Sequence, residues 1–257
     1  MRAVLKVSGK LIENPDLLAE LGQALRDFRQ EKVVIVHGGG PAITDLLQRL
    51  GIQARFHAGQ RVTDEATLEV AEMVLSGKMN KTIVAALSRQ GVQAIGLSGR
   101  DAELLAARPL SGENGKLGLV GEIERVRTDL LESLCRLGLI PVISPISAGP
   151  DGCALNVNAD WAASRIATDW KADSLLYFGD TPGVLADGRT LPELNGEAIA
   201  SLIREGEADR GMIPKLESAH FAARAGVRQV QILQWDGVDT LKRALREGGN
   251  LGTLVRS

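Results

Sequence analysis

Short, continuous apolar runs alternate along the chain with longer stretches whose apolar residues recur every three or four positions. AVLKV at 3–7, KVVIVH at 32–37, AIGLSG at 94–99, LIPVISP at 139–145, SLLYF at 174–178 and VQIL at 230–233 belong to the first kind. Uninterrupted apolar runs of this length, separated by helical stretches, are the pattern of parallel strands covered on both faces. Between the first two runs, PDLLAELGQALRDFRQ sets Leu17, Leu18, Leu21, Leu25 and Phe28 on one helical face. Pro15 suits the first turn of that helix, where its missing N–H is no loss. Further helices are expected from about Pro41 to Leu50, from Thr63 towards Gln90 with Thr63 or Asp64 as cap, and over 159–171. ARFHAGQRV (54–62) and LGLVGEIERV (117–126) are more polar and predict hairpins. The expected fold class is α/β: a three-layer α/β/α sandwich with a central, mostly parallel sheet. After the 159–171 helix a fresh strand–hairpin–helix series begins, so the chain is expected to divide into lobes 1–170 and 171–257 that share the sheet.

Composition narrows the function classes. Over 257 residues, 30 Lys and Arg stand against 32 Asp and Glu, a net charge of -2 without a basic run. Nothing in that balance calls for nucleic acid or a membrane surface, and small-molecule chemistry is the default. Cys135 and Cys153 sit in unrelated contexts and outside any C-x-x-C pair, as reduced thiols of a cytoplasmic protein would. No apolar stretch is long enough for a signal peptide or a membrane span. His37, His57 and His220 lack metal-ligand spacing, so no protein-built metal site is expected.

Five clusters carry candidate chemistry. Lys6 lies in an apolar strand, where an ammonium is costly unless it leaves the core at the strand's end; Ser8-Gly9 provide a turn there whose N–H groups can face an anion. His37-Gly38-Gly39-Gly40 joins a strand to a helix, and its glycines allow the backbone to approach a ligand closely. No G-x-S-x-G elbow, Walker A loop or G-x-G-x-x-G fingerprint accompanies them, which sets aside hydrolase, P-loop and dinucleotide readings. Asn156-Val157-Asn158-Ala159-Asp160 places two amides at a strand end and a carboxylate at the start of a helix, either ligand contacts or a polar loop with a cap. Lys215, in Gly211-Met212-Ile213-Pro214-Lys215, opposes the dipole at a helix start, a conflict that a bound anion would remove. Arg61, between Gly59 and Val62, can clamp a carboxylate in bidentate fashion.

In order and spacing these clusters resemble the amino acid kinase family, within it the N-acetylglutamate kinase branch. The resemblance runs through KVSG at 6–9, VHGGG at 36–40, GQRVT at 59–63, NK at 80–81, IGLSGRD at 95–101, LNVNAD at 155–160, DTPG at 180–183 and GMIPK at 211–215. It implies transfer of the γ-phosphoryl group of ATP, with Mg²⁺, to the side-chain carboxylate of N-acetyl-L-glutamate in arginine biosynthesis. Lys6 and Lys215 would flank the transferring group, Asp160 would hold them, and Gly9 and Gly39 would offer N–H groups to it. Gly39, Gly40, Arg61, Asn156 and Asn158 would bind the acyl amino acid. Asp180, Gly183 and the 208–213 segment, including Gly211, Met212 and Ile213, would bind ATP together with Lys6, Gly9 and Lys215. Mg²⁺ would be held mainly by ATP phosphates and water. A side-chain carboxylate with a pKa of about 4.3 is already ionised at neutral pH, so no general base is needed. The implied assembly is an arginine-insensitive homodimer built around the 64–90 helix. An N-acylated aminoadipate kinase and a non-catalytic sensor of an amino acid or nucleotide are the competing readings. One departure stands out: the family pattern K-x-G-G is K-V-S-G here, so Ser8 must supply its N–H at a φ that a non-glycine tolerates, with Lys10 pointing to solvent.

Overall fold

In the computed structural model, which describes residues 1–57, 59–110, 116–209 and 211–257, each continuous apolar run forms a strand. These are β1 (Arg2–Val7), β2 (Lys32–His37), β5 (Ala94–Gly99), β8 (Ile140–Ala148), β10 (Ser174–Gly179) and β14 (Gln229–Gln234). They lie in the order β14-β10-β1-β2-β8, parallel throughout, with β5 parallel to β8. β9 (Ala154–Asn156) and β15 (Thr253–Val255) join antiparallel to β8 and β14, and β13 (Glu193–Leu194) extends the edge beyond β15. β6 (Leu105–Pro109) and β7 (Gly121–Val126) close the other edge of the 11-stranded sheet. Two small ribbons stand apart: β3 (Phe56–His57) with β4 (Gln60–Arg61), and β11 (Leu185–Ala186) with β12 (Arg189–Thr190).

The strands are apolar without alternation because both faces are covered. Val4, Val34 and Leu175 point into a cluster with Ala162 and Ile166 of α7 (Ala159–Asp169) and Leu216 of α9 (Met212–Arg224). Their neighbours Leu5, Ile35 and Leu176 point the other way, onto Leu18, Leu21 and Leu25 of α2 (Pro15–Arg26) and Ile83 and Leu87 of α5 (Asn80–Arg89). A fully buried Leu or Val contributes about 1.5–3 kcal/mol, so each central strand is fixed from both sides. The remaining helices are α1 (Gly9–Glu13), α3 (Gly40–Arg49), α4 (Glu65–Glu72), α6 (Thr128–Arg136), α8 (Gly196–Glu205) and α10 (Thr240–Leu245).

Two expectations need correction. The 117–126 stretch is not a hairpin in itself: β7 pairs antiparallel with β6 at 105–109, and residues 111–115 between them lie outside the described residues. LAARP in β6 has no β-branched or aromatic residue to announce a strand. The 63–90 helix exists, with Asp64 as its cap (Oδ1 accepts from Thr67 N at 2.9 Å), but Met73–Met79 winds as a π-helix between α4 and α5. Hydrophobic period alone does not register such a change of winding. The predicted 54–62 hairpin is present as β3–β4, with Ala58 outside the described residues.

β1 has β2 on one side and β10 on the other, and the chain winds outward from it in both directions. The carboxyl ends of these strands, at Val7, His37 and Gly179, therefore border a crevice of the kind in which parallel α/β sheets bind ligands.

Candidate functional site

Lys6, near the end of β1, and Lys215, in α9, converge on one oxygen of Asp160, in the first turn of α7. Asp160 Oδ1 lies 2.9 Å from Lys6 Nζ and 3.0 Å from Lys215 Nζ, and all three residues are buried. Burial alone would raise the carboxyl pKa; the Lys215 and Lys6 ammoniums overrule it and hold Asp160 at about 2. Lys215 is drawn below its ordinary value, first by burial, with Asp160 opposing. The helix-start conflict at Lys215 is thus resolved within the chain, because Asp160 is the anion that it meets. Tyr177 of β10 lies beneath: its ring is 5.4 Å from Lys215 Nζ and its hydroxyl is 3.1 Å from Ser218 Oγ. With two ammoniums to one carboxylate, the cluster carries a net positive charge.

Lys6 and Asp160 line a cavity of about 420 Å³ whose wall also contains Gly9, Gly39, Gly40, Arg61, Asn156 and Asn158. Arg61, on β4, is 9 % exposed; its Nη2 donates to Gly40 O and Thr44 Oγ1, both at 2.9 Å, and its guanidinium stacks 4.8 Å over Phe56. Its Nη1 is buried without a hydrogen-bond partner among the described residues, and burial lowers its pKa. An orphaned, charged donor beside a cavity matches an anionic ligand group. Gly39 is buried, and its N–H has no acceptor among the described residues. A Cβ there would lie 2.8 Å from Leu75 Cδ2 and 3.3 Å from Met79 Cγ, so the π-helical segment requires a glycine or must retreat.

The two asparagines behave differently from one another. Asn156 donates from Nδ2 to Thr63 Oγ1 (3.1 Å), which fixes the amide at the cavity wall. Asn158, rather than Asp160, is the cap of α7: its Oδ1 accepts from Asp160 N at 2.8 Å and Trp161 N at 3.3 Å. Asp160 is thereby left free for the lysines.

On the side expected to meet the nucleotide, Ser8 has φ -79°, ordinary for a non-glycine residue, and caps the short α1 through Leu11 N. Its hydroxyl donates to Asp180 Oδ1 (3.2 Å), and Lys10, although largely exposed, reaches Asp180 Oδ2 (3.3 Å) instead of standing free in solvent. Asp180, after β10, thus ties the first loop to the segment that follows β10. Gly183 is packed closely, since a Cβ would come within 2.7 Å of Thr190 Cγ2 and Thr253 Oγ1. The N–H groups of Gly211 and Met212 both donate to Asp209 Oδ1 at 2.8 Å, and Ile213 N donates to Asp209 O at 3.1 Å. Residue 210 of that segment lies outside the described residues.

Thr44, Phe56 and Tyr177 support the site but stood out in no motif, while Thr63 and Asp209 lay within the GQRVT and 208–213 stretches without being singled out for these contacts. The first three are recognised by the fold that brings them there.

A family model described as the amino acid kinase family matches residues 1–234. The chain is 42% identical over 261 residues to the acetylglutamate kinase of Methanopyrus kandleri, covering 98% of this chain and 99% of that one. It is 45% identical over 237 residues to the acetylglutamate kinase of Bacillus licheniformis, covering 91% and 90% of the two chains. Among solved structures, N-acetylglutamate synthase from Neisseria gonorrhoeae, complexed with coenzyme A and N-acetyl-glutamate, aligns with a TM-score of 0.86 at 26% identity. That alignment spans 100% of this chain and 59% of the synthase. With a match that begins at β1 and runs to the end of β14, this chain belongs to the amino acid kinase family.

Proposed function

We propose that the chain transfers the γ-phosphoryl group of ATP to the γ-carboxylate of N-acetyl-L-glutamate, giving N-acetylglutamyl 5-phosphate in arginine biosynthesis. The observation that carries this reading is one cavity lined by Lys6 and Asp160, the latter also paired with Lys215, and by Arg61, whose Nη1 has no hydrogen-bond partner among the described residues. Arg61 takes the α-carboxylate, Asn156 faces the acylated amine, and Asn158 and Gly40 lie beside them in the substrate-binding part of the wall. The γ-carboxylate then approaches the phosphoryl group as an ionised nucleophile. One of its oxygens bonds to the γ-phosphorus as the bond to the β–γ bridging oxygen breaks, and ADP leaves with that electron pair. Repulsion between two anions is the obstacle, and fixed positive charge and N–H dipoles lower it. Lys6 and Lys215 supply the charge; Gly9 and Gly39 supply N–H groups.

Asp180, Gly183, Gly211, Met212 and Ile213 are assigned to ATP, in the 171–257 lobe, with the acyl amino acid and the subunit contact in 1–170. Among the described residues no cluster of three or more His, Cys, Asp or Glu could hold a metal, and Asp160 is occupied by lysines. Mg²⁺ is assigned mainly to the ATP phosphates and water, where it would neutralise charge. We assign the protein to the cytoplasm as a homodimer formed through the 64–90 helix, a reading supported by Met73, which is 51% exposed on it.

The test is hydroxylamine trapping of acyl phosphate with ATP, Mg²⁺ and either N-acetylglutamate or N-acetylaminoadipate. Product with N-acetylglutamate supports the assignment. Product only with the longer acid transfers it to that substrate, and silence with both in folded protein overturns it.

A further inference from the structure

His37 is fully buried directly before the glycines, and the proposed reaction needs no histidine. Both ring nitrogens are engaged: Nδ1 lies 3.0 Å from Gly38 O and Nε2 lies 3.2 Å from Asn80 Nδ2. The Asn80 amide has a defined orientation, because Nδ2 also reaches Val142 O (2.9 Å) and Leu97 O (3.3 Å) while Oδ1 accepts from Lys81 Nζ (3.1 Å). Lys81 is held in turn by Gly96 O at 3.0 Å. Gly96 makes room for this arrangement, since a Cβ there would fall 1.9 Å from Asn80 Oδ1. An amide nitrogen only donates, so Nε2 accepts, the ring proton sits on Nδ1, and Nδ1–H donates to the Gly38 carbonyl. Burial keeps the ring neutral at physiological pH, its pKa lowered to about 4, with the nearby Lys6 and Lys81 charges adding to the effect.

Peptide geometry connects this bond to the cavity. The Gly38 carbonyl and the Gly39 N–H lie on opposite edges of one planar trans peptide. A carbonyl tethered towards the buried ring therefore turns the Gly39 N–H the opposite way, and that N–H finds no acceptor among the described residues. We propose that His37, locked in one tautomer by Asn80, is a positioning residue that aims the Gly39 N–H at the transferring phosphoryl group. The inference rests on the phosphoryl-transfer reading above. It assigns a role to the NK pair at 80–81, whose Asn80 bonds the ring that precedes the glycine loop.

The test compares two amide replacements. In His37→Asn the side-chain amide occupies the place of Nδ1 and keeps a donor for Gly38 O; in His37→Gln it extends to the place of Nε2 and leaves that carbonyl untethered. A donor aimed at developing charge is worth roughly 10²–10³ in kcat. His37→Gln is therefore expected to lose about 100-fold in kcat with both KM values little changed, and His37→Asn to retain at least ten times more activity. Both should lose similar stability, which a purely structural role would mirror in activity. Equal kcat in the two variants, or a loss confined to KM, overturns the proposal. Imidazole ¹⁵N shifts of the unaltered protein at neutral pH provide a measurement that needs no variant: protonated Nδ1 and bare Nε2 are expected, and an Nε2–H tautomer overturns it. Absence of acyl phosphate from the unaltered protein would defeat the kinase reading instead, leaving the tautomer measurement to stand by itself.

Discussion

Replacing Asp160 with Asn should both destabilise the protein and nearly silence it. Two ammoniums that share one oxygen at 2.9 and 3.0 Å lie less than about 6 Å apart, and Asn removes the charge that reconciles them. At an effective dielectric constant near 20, their mutual repulsion is about 3 kcal/mol. A second route reaches a similar figure: the Asp160 pKa of about 2, against 3.8 ordinarily, is worth about 2 kcal/mol of folding stability at neutral pH. Losing one partner of a buried ion pair typically costs about 3–5 kcal/mol. Urea unfolding at pH 7 should therefore register a loss of about 3 kcal/mol, and kcat should fall by two orders of magnitude or more as the lysines leave their places. The deficit has a pH signature. In the variant the folded-state pKa of Lys215, already lowered by burial, drops further once the opposing Asp160 charge is gone, so the unfolded chain binds more protons between that value and the ordinary 10.5, and stability recovers as pH rises through that window. An Asp160→Asn protein with an unchanged urea midpoint and kcat within threefold of the parent would refute the idea that this carboxylate holds the lysines.

Arg61→Ala should raise KM for N-acetylglutamate while leaving KM for ATP nearly unchanged; losing a buried charged clamp costs at least ~2 kcal/mol, or roughly 30-fold in kcat/KM. Parallel loss in both KM values would show that the β3–β4 ribbon has collapsed instead. Acid should weaken the fold through His37: its folded pKa of about 4 lies below the ordinary 6.5, so only the unfolded chain takes up a proton between them. Stability present above pH 6.5 should fall by about 3 kcal/mol as pH drops to 4, and His37→Asn should flatten that part of the curve; identical slopes would contradict it. Asp160, depressed from 3.8 to about 2, adds its loss only below that range.

Much of the architecture was legible because burial on both faces leaves an unambiguous mark on strands. KVVIVH and AIGLSG coincide with β2 and β5 to the residue. The chemistry at Lys6 was legible for the same reason in reverse, as a charge in an apolar strand needs a partner. The identity of that partner was readable only through family resemblance, because residues 6, 160 and 215 meet solely by tertiary folding. Asn158 as the α7 cap, β6, and the π-helical turn escaped notice. Each depends on backbone geometry that residue type alone leaves open. Ser8 looked like a defect in a glycine loop, yet its φ of -79° asks nothing unusual of a serine, and its hydroxyl finds work as a cap and as a bond to Asp180.

The position of β1 has a consequence for how the protein is made. Its edge towards β2 can pair as soon as residue 37 is available, whereas the other edge waits for residues 174–179. At 5–20 residues per second of synthesis, that delay is on the order of 10–30 s. Throughout it the nascent chain carries an unpaired, apolar strand edge, which is a template for wrong partners. Lys6 meanwhile lacks Asp160, the carboxylate that compensates its burial, until residue 160 has been made. Chaperone dependence during translation, and a strong tendency of fragments ending near residue 170 to aggregate, follow from that order of events.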